Sequence, residues 1–325
     1  MRRDLQTWQN VSNRSAPLGT TGIRVPLIGY GTAPLGKDHI SRDHAERCLD
    51  HAIDHAIDLG ITYLDTSPDY GSEPHVGAVM RRRRREVFLA TKINHRSKEG
   101  VLDELKRSLD KLQTAHVDLI QVHAVNAWAD MEQALAPDGA VAALEQARAE
   151  GLVRFIGITG HARPDLLAHA LRQYKFDSVL VALGMADHLV SSPDTFLLPM
   201  AQERSTAVIA MKVLGHGEFS SVELALRYSL GLPGVSLAIV GMESTAQIDH
   251  NVDSATAFKP LSKDQRQQLI DEVQPIVERD AQHASEEAGR RPLFWLHDTK
   301  VMGWRRRMSR RWFGINLNLY TTCAA

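Results

Sequence analysis

The chain has 325 residues, of which 43% are hydrophobic and 24% charged, enough for one large barrel or two ordinary domains. A formal charge of -1 gives no overall field that favours nucleic acid or an anionic membrane. Two cysteines exclude a disulfide framework and a cysteine-rich metal cluster. Residues 1–19 lack the apolar core of a signal peptide, and no run approaches the roughly 20 apolar residues that span a bilayer. We therefore expect a cytoplasmic protein.

From about residue 26 onward, short runs rich in Val and Ile alternate with segments of helical periodicity. This alternation is typical of repeated βα units with a parallel sheet. The candidate strands lie at residues 26–31, 61–65, 87–92, 117–123, 153–159, 176–183, 207–213 and 235–241. Eight strands and their helices in single file predict an α/β fold, the (β/α)8 TIM barrel.

Two segments flank the predicted barrel. Residues 16–26 indicate an N-terminal β-hairpin around a glycine-containing turn, placed to cover the barrel floor. Residues 262–282 have the pattern of one more amphipathic helix, so we expect a single domain over residues 1–283. Residues 284–325 form a basic, tryptophan-containing C-terminal tail without a long amphipathic face, which favours a lid or disorder over a membrane role.

A doubly wound sheet is the alternative architecture. No strand-to-helix turn carries the G-x-G-x-x-G fingerprint, because the nearest match, GYGTAP, has Pro34 at the position of the third glycine. A dinucleotide would therefore have to bind by another route.

Four polar residues lie at or just after the C-terminal ends of predicted strands: Asp65, Tyr70, Lys92 and His123. In a parallel barrel these ends surround one mouth, so the four side chains converge. A phenol with a pKa of about 10 donates protons poorly unless a cation stabilises its anion. Lys92 can supply that cation, Asp65 can hold the ammonium, and the His123 imidazole can hydrogen-bond and orient a substrate oxygen.

Each residue also has a structural interpretation: a buried Asp–Lys pair, a packing tyrosine, or a satisfied interior histidine. Because the four residues occur together at or just after successive strand ends, we favour the interpretation that they form a site that polarises and protonates a carbonyl.

Five stretches, PLGTTGIRVPLIGYGTAPLG, DLGITYLDTSPDYG, VFLATK, VDLIQVHAV and GLVRFIGITGH, resemble motifs of the aldo-keto reductase superfamily in order and spacing, over about residues 17–255. The resemblance implies reduction of an aldehyde or ketone, or the reverse, with NADPH across the barrel mouth. It implies that Asp65, Tyr70, Lys92 and His123 form the catalytic tetrad, with Tyr70 as general acid. The partner expected is a small-molecule carbonyl or alcohol, with no nucleic acid and no membrane; the sequence indicates no oligomeric state.

The resemblance also implies residues that hold the cofactor. Near the nicotinamide these are Gly31, Thr32, Asp65, Thr159, Gly160 and Met211, and near the phosphates and adenosine they are Lys212, Leu214, Gly215, Gly241, Ser244, Gln247 and Asn251. Three positions depart from the family pattern, since Gly160 has no amide side chain, Leu180 replaces a glutamine, and Met211 replaces an aromatic residue. NADP(H) is favoured, but Gln247 in place of an arginine and the nearby Glu243 keep NAD(H) as the alternative.

Other features suggest other functions. His51 and His55 are four residues apart on one predicted helix face, a spacing that suits a metal but also a simple repeat, and we expect no metal site. The run Arg81–Arg85 is interpreted as a helix end with solvated side chains rather than a nucleic-acid contact. A redox sensor or partner subunit with little turnover is the alternative function. A metal-dependent barrel hydrolase is the third, and it lacks the expected His-x-His at the end of the first strand.

Overall fold

The computed structural model describes residues 15–36, 51–161 and 163–288, with His216 and residues 280–288 described by backbone alone. The strands are β1 (Ser15–Pro17), β2 (Arg24–Pro26), β3 (Ile28–Gly31), β4 (Tyr63–Asp65), β5 (Phe88–Ile93), β6 (Val117–Val122), β7 (Val153–Gly160), β8 (Ser178–Ala182), β9 (Ala207–Met211) and β10 (Val235–Gly241). Strands β3 to β10 are parallel and close into a barrel in chain order, with β10 pairing both β9 and β3. The predicted (β/α)8 barrel is confirmed.

Helices surround the strands. They are α1 (residues 51–58), α2 (Glu73–Arg83), α3 (Lys98–Leu112), α4 (Trp128–Leu135), α5 (Ala140–Ala149), α6 (Pro164–Gln173), α7 (Met185–Ser191), α8 (Leu197–Glu203), α9 (Val222–Leu230), α10 (Thr245–Thr256) and α11 (Lys263–Ala288). Short 3-10 helices lie at Ala33–Gly36, Pro68–Tyr70, Arg84–Glu86, Pro193–Thr195 and Gly215–Gly217. No helix in the described ranges is long and apolar enough to cross a membrane.

The strands read as continuous apolar runs because both of their faces are covered, as expected for a parallel barrel. Every residue of β5 and β6 is buried. One face packs against the helices, and the other fills the barrel interior with side chains such as Tyr63, Phe88 and Leu119. The interior is therefore a packed core, which leaves the rim of strand ends to carry chemistry.

The predicted N-terminal hairpin is confirmed as the antiparallel pair β1–β2. Leu18, Ile23 and Val25 pack into the same cluster as the barrel-interior side chains. Gly19 has φ +54°, and a Cβ there would lie 2.8 Å from the backbone nitrogen of Ala207, the first residue of β9. The hairpin thus lies at the end of the barrel where the strands begin.

The C-terminal helix extends further than its sequence pattern predicts. One compact unit ends at Val277, and a second begins at Glu278 inside α11. The helix continues to Ala288, so residues 284–288 are not irregular; the sequence there has no helix breaker before Gly289. The rest of the predicted tail, residues 289–325, lies outside the described residues.

The arginine run Arg81–Arg85 does end a helix, but two of its side chains are not solvated, which corrects the prediction. Arg83 and Arg84 have side chains only 18% and 17% exposed. Arg84 lies 2.8 Å from the buried carboxylate of Asp118 on β6 and donates to the carbonyl of Val87. Arg84 therefore ties the end of α2 to β6, and Arg83 pairs with Asp54 and Asp58 of α1.

Of the two histidines of α1, His55 bonds a neighbouring carboxylate and His51 stacks on the His55 ring. His55 Nε2 lies 2.7 Å from Asp249 Oδ1, and Arg83 pairs with both Asp54 and Asp58. No group of three or more possible metal ligands occurs among the residues the structure describes.

Candidate active site

The residues predicted to act together come from three neighbouring strands at one rim of the barrel. Asp65 is the last residue of β4, Lys92 is the penultimate residue of β5, and His123 directly follows β6. Tyr70 ends the 3-10 helix Pro68–Tyr70 in the loop after β4. Because β4, β5 and β6 pair in parallel, their C-terminal ends lie side by side at this rim. All four side chains lie close together there.

Asp65 and Lys92 form a buried ion pair. Lys92 Nζ lies 2.6 Å from Asp65 Oδ1 and donates to the carbonyl of Thr66 at 2.7 Å, and both residues are almost inaccessible, at 1% and 3% exposure. Gln121 on β6 donates to the other carboxylate oxygen at 3.1 Å. Burial lowers the pKa of Lys92, but the charge of Asp65 and the hydrogen bond with Tyr70 outweigh it and raise that pKa overall. The lysine is thus held as a cation.

Tyr70 lies directly against this cation. Lys92 Nζ is 4.7 Å from the centre of the tyrosine ring, and the ring stands edge-on to His123 at 6.2 Å and 83°. The loop is fixed from behind, because a Cβ on Gly36 would lie 1.4 Å from the carbonyl oxygen of Tyr70. Gly71, with φ +74°, lets the chain turn immediately after the tyrosine.

His123 is held by two residues that sequence reasoning missed. Its Nδ1 lies 2.8 Å from Asn94 Oδ1 and 3.4 Å from Asp69 Oδ2. Burial lowers the pKa of His123, although the Asp69 carboxylate opposes this, and the hydrogen bond to His123 lowers the pKa of Asp69. Asn94 was recognisable, since it stands two residues after Lys92 and alternation along a strand puts both on one face.

A second layer fixes Asn94 in place. Glu104 of α3 accepts hydrogen bonds from the Asn94 backbone at 2.7 Å, from the Asn94 side-chain amide at 3.1 Å and from the His95 backbone at 3.1 Å. Arg96 donates to the carbonyls of Asn94 and His123 and pairs with Asp130. The ends of β5 and β6 are therefore tied together.

Around the predicted nicotinamide position, Thr159 has the clearest free hydrogen-bonding capacity. Its hydroxyl is fully buried and has no hydrogen-bond partner within the part of the chain that the structure describes. Gly160 contributes backbone only, because a Cβ would lie 2.7 Å from the carbonyl of Val125. Asn126 brings a side-chain amide to the same place, accepting from the backbone of His161 at 3.1 Å. Leu180 and Met211 belong to the apolar barrel interior.

Close packing explains the glycines that end β3 and β10 and the threonine that follows β3. Gly31 pairs with Gly241. A Cβ on Gly31 would lie 2.9 Å from the Ile239 side chain, and a Cβ on Gly241 would lie 2.8 Å from Pro34. The Thr32 hydroxyl is fully buried and bonds the carbonyl of Asp65 at 3.0 Å and the hydroxyl of Ser72 at 2.9 Å. Thr32 therefore holds the loops of the rim together with its side chain.

The segment after β9 begins with a strained turn. Lys212 has φ +62°, uncommon for a residue with a side chain, and its carbonyl accepts from Gly215, which has φ +53°. Leu214 is half-buried and packs against both the main strand–helix cluster and the smaller cluster that joins α7, α9 and α11. The turn places the predicted phosphate-binding residues next to one another.

The start of α10 is capped by the residues predicted to bind adenosine. Ser244 accepts from the backbone of Gln247 at 3.3 Å, and the Gln247 side chain accepts from the backbone of Glu243 at 2.7 Å. Both side chains are thus already used in the cap. Asn251 is 5% exposed, and its side-chain amide has no hydrogen-bond partner among the residues the structure describes.

The sequence model of the Aldo/keto reductase family matches residues 27–222, which is more than half of the chain. The chain belongs to the aldo/keto reductase family. It is therefore an oxidoreductase, and the resemblance noted in the sequence is confirmed.

Curated and solved relatives agree with this assignment. L-galactose dehydrogenase of Arabidopsis thaliana is 29% identical over 80% of this chain and 93% of its own. The holo form of an aldo-keto reductase from Bacillus halodurans is 25% identical, with a TM-score of 0.67, over 80% of this chain and 96% of its own. A Klebsiella pneumoniae aldo-keto reductase solved in complex with NADPH is 24% identical, with a TM-score of 0.67, over 79% and 94%.

Proposed function

We propose that this family member interconverts an aldehyde or ketone with the corresponding alcohol, using NADP(H), with Tyr70 as general acid in reduction and general base in oxidation. One observation carries the proposal: a buried ammonium, Lys92, lies between the carboxylate of Asp65 and the ring of Tyr70. A nearby cation stabilises a phenolate, so it lowers the cost of proton donation by the phenol. An ion pair that only stabilised the fold would not require a tyrosine next to it at the barrel mouth.

Each residue of the group then has a task. Tyr70 moves the proton to and from the substrate oxygen. Lys92 stabilises the phenolate that remains, and Asp65, oriented by Gln121, holds the ammonium in place. His123 borders the substrate on the side of Tyr70. Because the Asp65–Lys92 pair is almost inaccessible, its electrostatic effect is little screened by solvent.

The residues of the rim fit a nicotinamide dinucleotide. The unpartnered hydroxyl of Thr159 is suited to the carboxamide, the first turn of α10 to a phosphate, and the amide of Asn251 to the adenine end. Lys212 would supply positive charge to the pyrophosphate. When bound, the nicotinamide supplies or accepts the hydride. NADP(H) is proposed over NAD(H) on the resemblance to the family.

The proposal is tested by oxidation of NADPH with a panel of aldehydes and ketones, and by fluorescence titration with NADPH and NADH. Replacing Tyr70→Phe should lower kcat by at least about 100-fold, since the proton donor is lost. Affinity for NADPH should stay within about threefold, because only one polar atom is removed.

The matched control is Tyr174→Phe, which removes a hydroxyl that bonds Glu145 on the outer helices. Its kcat should equal that of the wild type. Full activity of Tyr70→Phe, or absence of NADPH binding by the wild type, would overturn the proposal.

A further inference from the structure

Two consecutive residues of β5, Thr91 and Lys92, are both contacted by the segment that carries Tyr70. Lys92 faces the barrel interior, where its Nζ lies 4.7 Å from the centre of the Tyr70 ring. Because side chains alternate along a strand, Thr91 faces the surrounding helices. There its hydroxyl donates to Glu73 Oε1 at 3.1 Å. The segment from Tyr70 to Glu73 therefore contacts both faces of β5, with the tyrosine ring on one face and a carboxyl group on the other.

Glu73 is buried although it carries a carboxyl group. It is the first residue of α2, and only 1% of it is exposed. Burial raises the pKa of Glu73, and hydrogen bonds from Ser108 of α3 and from Thr91 oppose this only in part. Lys111 Nζ lies 3.9 Å from Oε2, but the lysine side chain is 49% exposed. Since Oε2 makes no hydrogen bond within the residues that the structure describes, the site suits an acceptor oxygen better than a charge.

The residue before Glu73 is anchored in the same way. Ser72 is fully buried, and its hydroxyl lies 2.9 Å from that of Thr32 and 3.1 Å from that of Thr66. An apolar side chain at position 73 would pack between α2, α3 and β5 without the unfavourable loss of hydration that a carboxyl group suffers. A hydrogen bond is directional, however, so the contact with Thr91 specifies one position of the segment where apolar packing would allow several.

We propose that Glu73 is a positioning residue for the reaction: by accepting the hydrogen bond of Thr91, it holds the Tyr70 segment on β5 and so fixes the contact between Tyr70 and Lys92. The inference rests on the proposed function and adds to it a residue that acts through Tyr70. The carboxyl group acts as an acceptor, so an amide oxygen can take its place and an apolar side chain cannot. Because a displacement of about 1 Å can lower a rate about 100-fold, loss of this contact should be seen in kcat.

The acceptor is tested by comparing Glu73→Gln with Glu73→Leu. Glutamine keeps an oxygen that faces Thr91, so kcat with an aldehyde should stay within about threefold of the wild-type value. Leucine removes that oxygen, so kcat should fall by at least about tenfold, while the affinity for NADPH stays within about threefold. Equal losses of kcat in the two variants, or a wild-type kcat in Glu73→Leu, would overturn the proposal.

Thr91→Val tests the same hydrogen bond from its other end with almost no change in side-chain size. The matched control is Thr206→Val, which removes a buried hydroxyl that donates to the carbonyl of Phe176 at 3.0 Å, directly before β9 at the opposite end of the barrel. Each variant loses one buried hydrogen bond, so the midpoints of urea unfolding should fall by similar amounts. Only Thr91→Val should lower kcat, by at least about fivefold, and equal kcat values in the two variants would exclude the positioning role.

The position of the segment can also be followed without turnover. Amide hydrogen exchange of the unliganded enzyme reports local opening, and residues 66–73 should exchange at least about fivefold faster in Thr91→Val than in the wild type or in Thr206→Val. Unchanged exchange in Thr91→Val would overturn the inference and leave the carbonyl reductase function intact. No turnover of any carbonyl compound by the wild type would instead overturn the proposed function, and the exchange rates would still decide whether the bond between Thr91 and Glu73 holds the segment in place.

Discussion

Lys92 Nζ lies 2.6 Å from Asp65 Oδ1, and the two residues end neighbouring strands of the barrel with almost no exposure to solvent. Replacing either partner of a pair buried this deeply should lower the stability of the fold, because the other charge is left uncompensated. The same pair supports Tyr70, so its effects on folding and on turnover can be separated by experiment.

Replacing Lys92→Met should lower the free energy of unfolding by about 3–5 kcal/mol, since Asp65 is left as an unpaired buried charge. The double variant Lys92→Met/Asp65→Leu should recover more than half of that loss, while kcat stays low in both. Urea unfolding and steady-state kinetics measure the two effects. A Lys92→Met protein with wild-type stability would contradict the importance of the pair.

Gly36 should control the position of Tyr70. In Gly36→Ala the new Cβ would lie 1.4 Å from the Tyr70 carbonyl, so one of the two segments must move. We expect kcat/KM to fall by at least about tenfold, because a displacement of about 1 Å is costly to catalysis.

The control is Gly151→Ala, where nothing lies within 4 Å of the new Cβ although φ is +78°. That variant should lose about 1 kcal/mol of stability to backbone strain and keep its kcat/KM. Equal activity of the two alanine variants would exclude this role for Gly36.

The arginines of the run Arg81–Arg85 should differ in their contribution to stability. Arg84→Leu removes one of the two arginines that pair with buried Asp118 and leaves Arg154 as the other, so unfolding should become easier by about 1–2 kcal/mol. Arg81→Leu removes an exposed side chain and should change stability by less than about 0.5 kcal/mol. Thermal or urea unfolding of the two variants tests this directly, and equal losses would show that the burial of Arg84 is unimportant.

The pH dependence of stability should report the burial of His123. Because its folded pKa lies below the unfolded value of about 6.5, the unfolded chain binds more protons in this range and stability falls as pH falls below about 6.5. His123→Gln should show a shallower decline than the wild type. Unfolding free energies measured between about pH 5 and pH 8 provide the test, and parallel curves for wild type and His123→Gln would contradict it.

The sequence alone determined the barrel, the hairpin and the four residues of the rim, since each depends on local order along the chain. Alternating apolar runs specify eight βα units, and a polar residue at a strand end lies at the mouth wherever the strands are parallel. Asp65, Lys92 and His123 were predictable for that reason. The family match supports the same interpretation with independent evidence.

Only the tertiary structure decided what surrounds those residues. Asn94 and Glu104 are ten residues apart, and the hydrogen bonds that join Glu104 to Asn94 and Asn94 to His123 depend on how α3 and β6 pack beside β5. The burial of Arg84 depends likewise on Asp118 from another strand. A hydrogen-bond network joins groups through space, so the contacts of the Asn94 amide with His123 and Glu104 follow from the packed fold and not from the order of the residues.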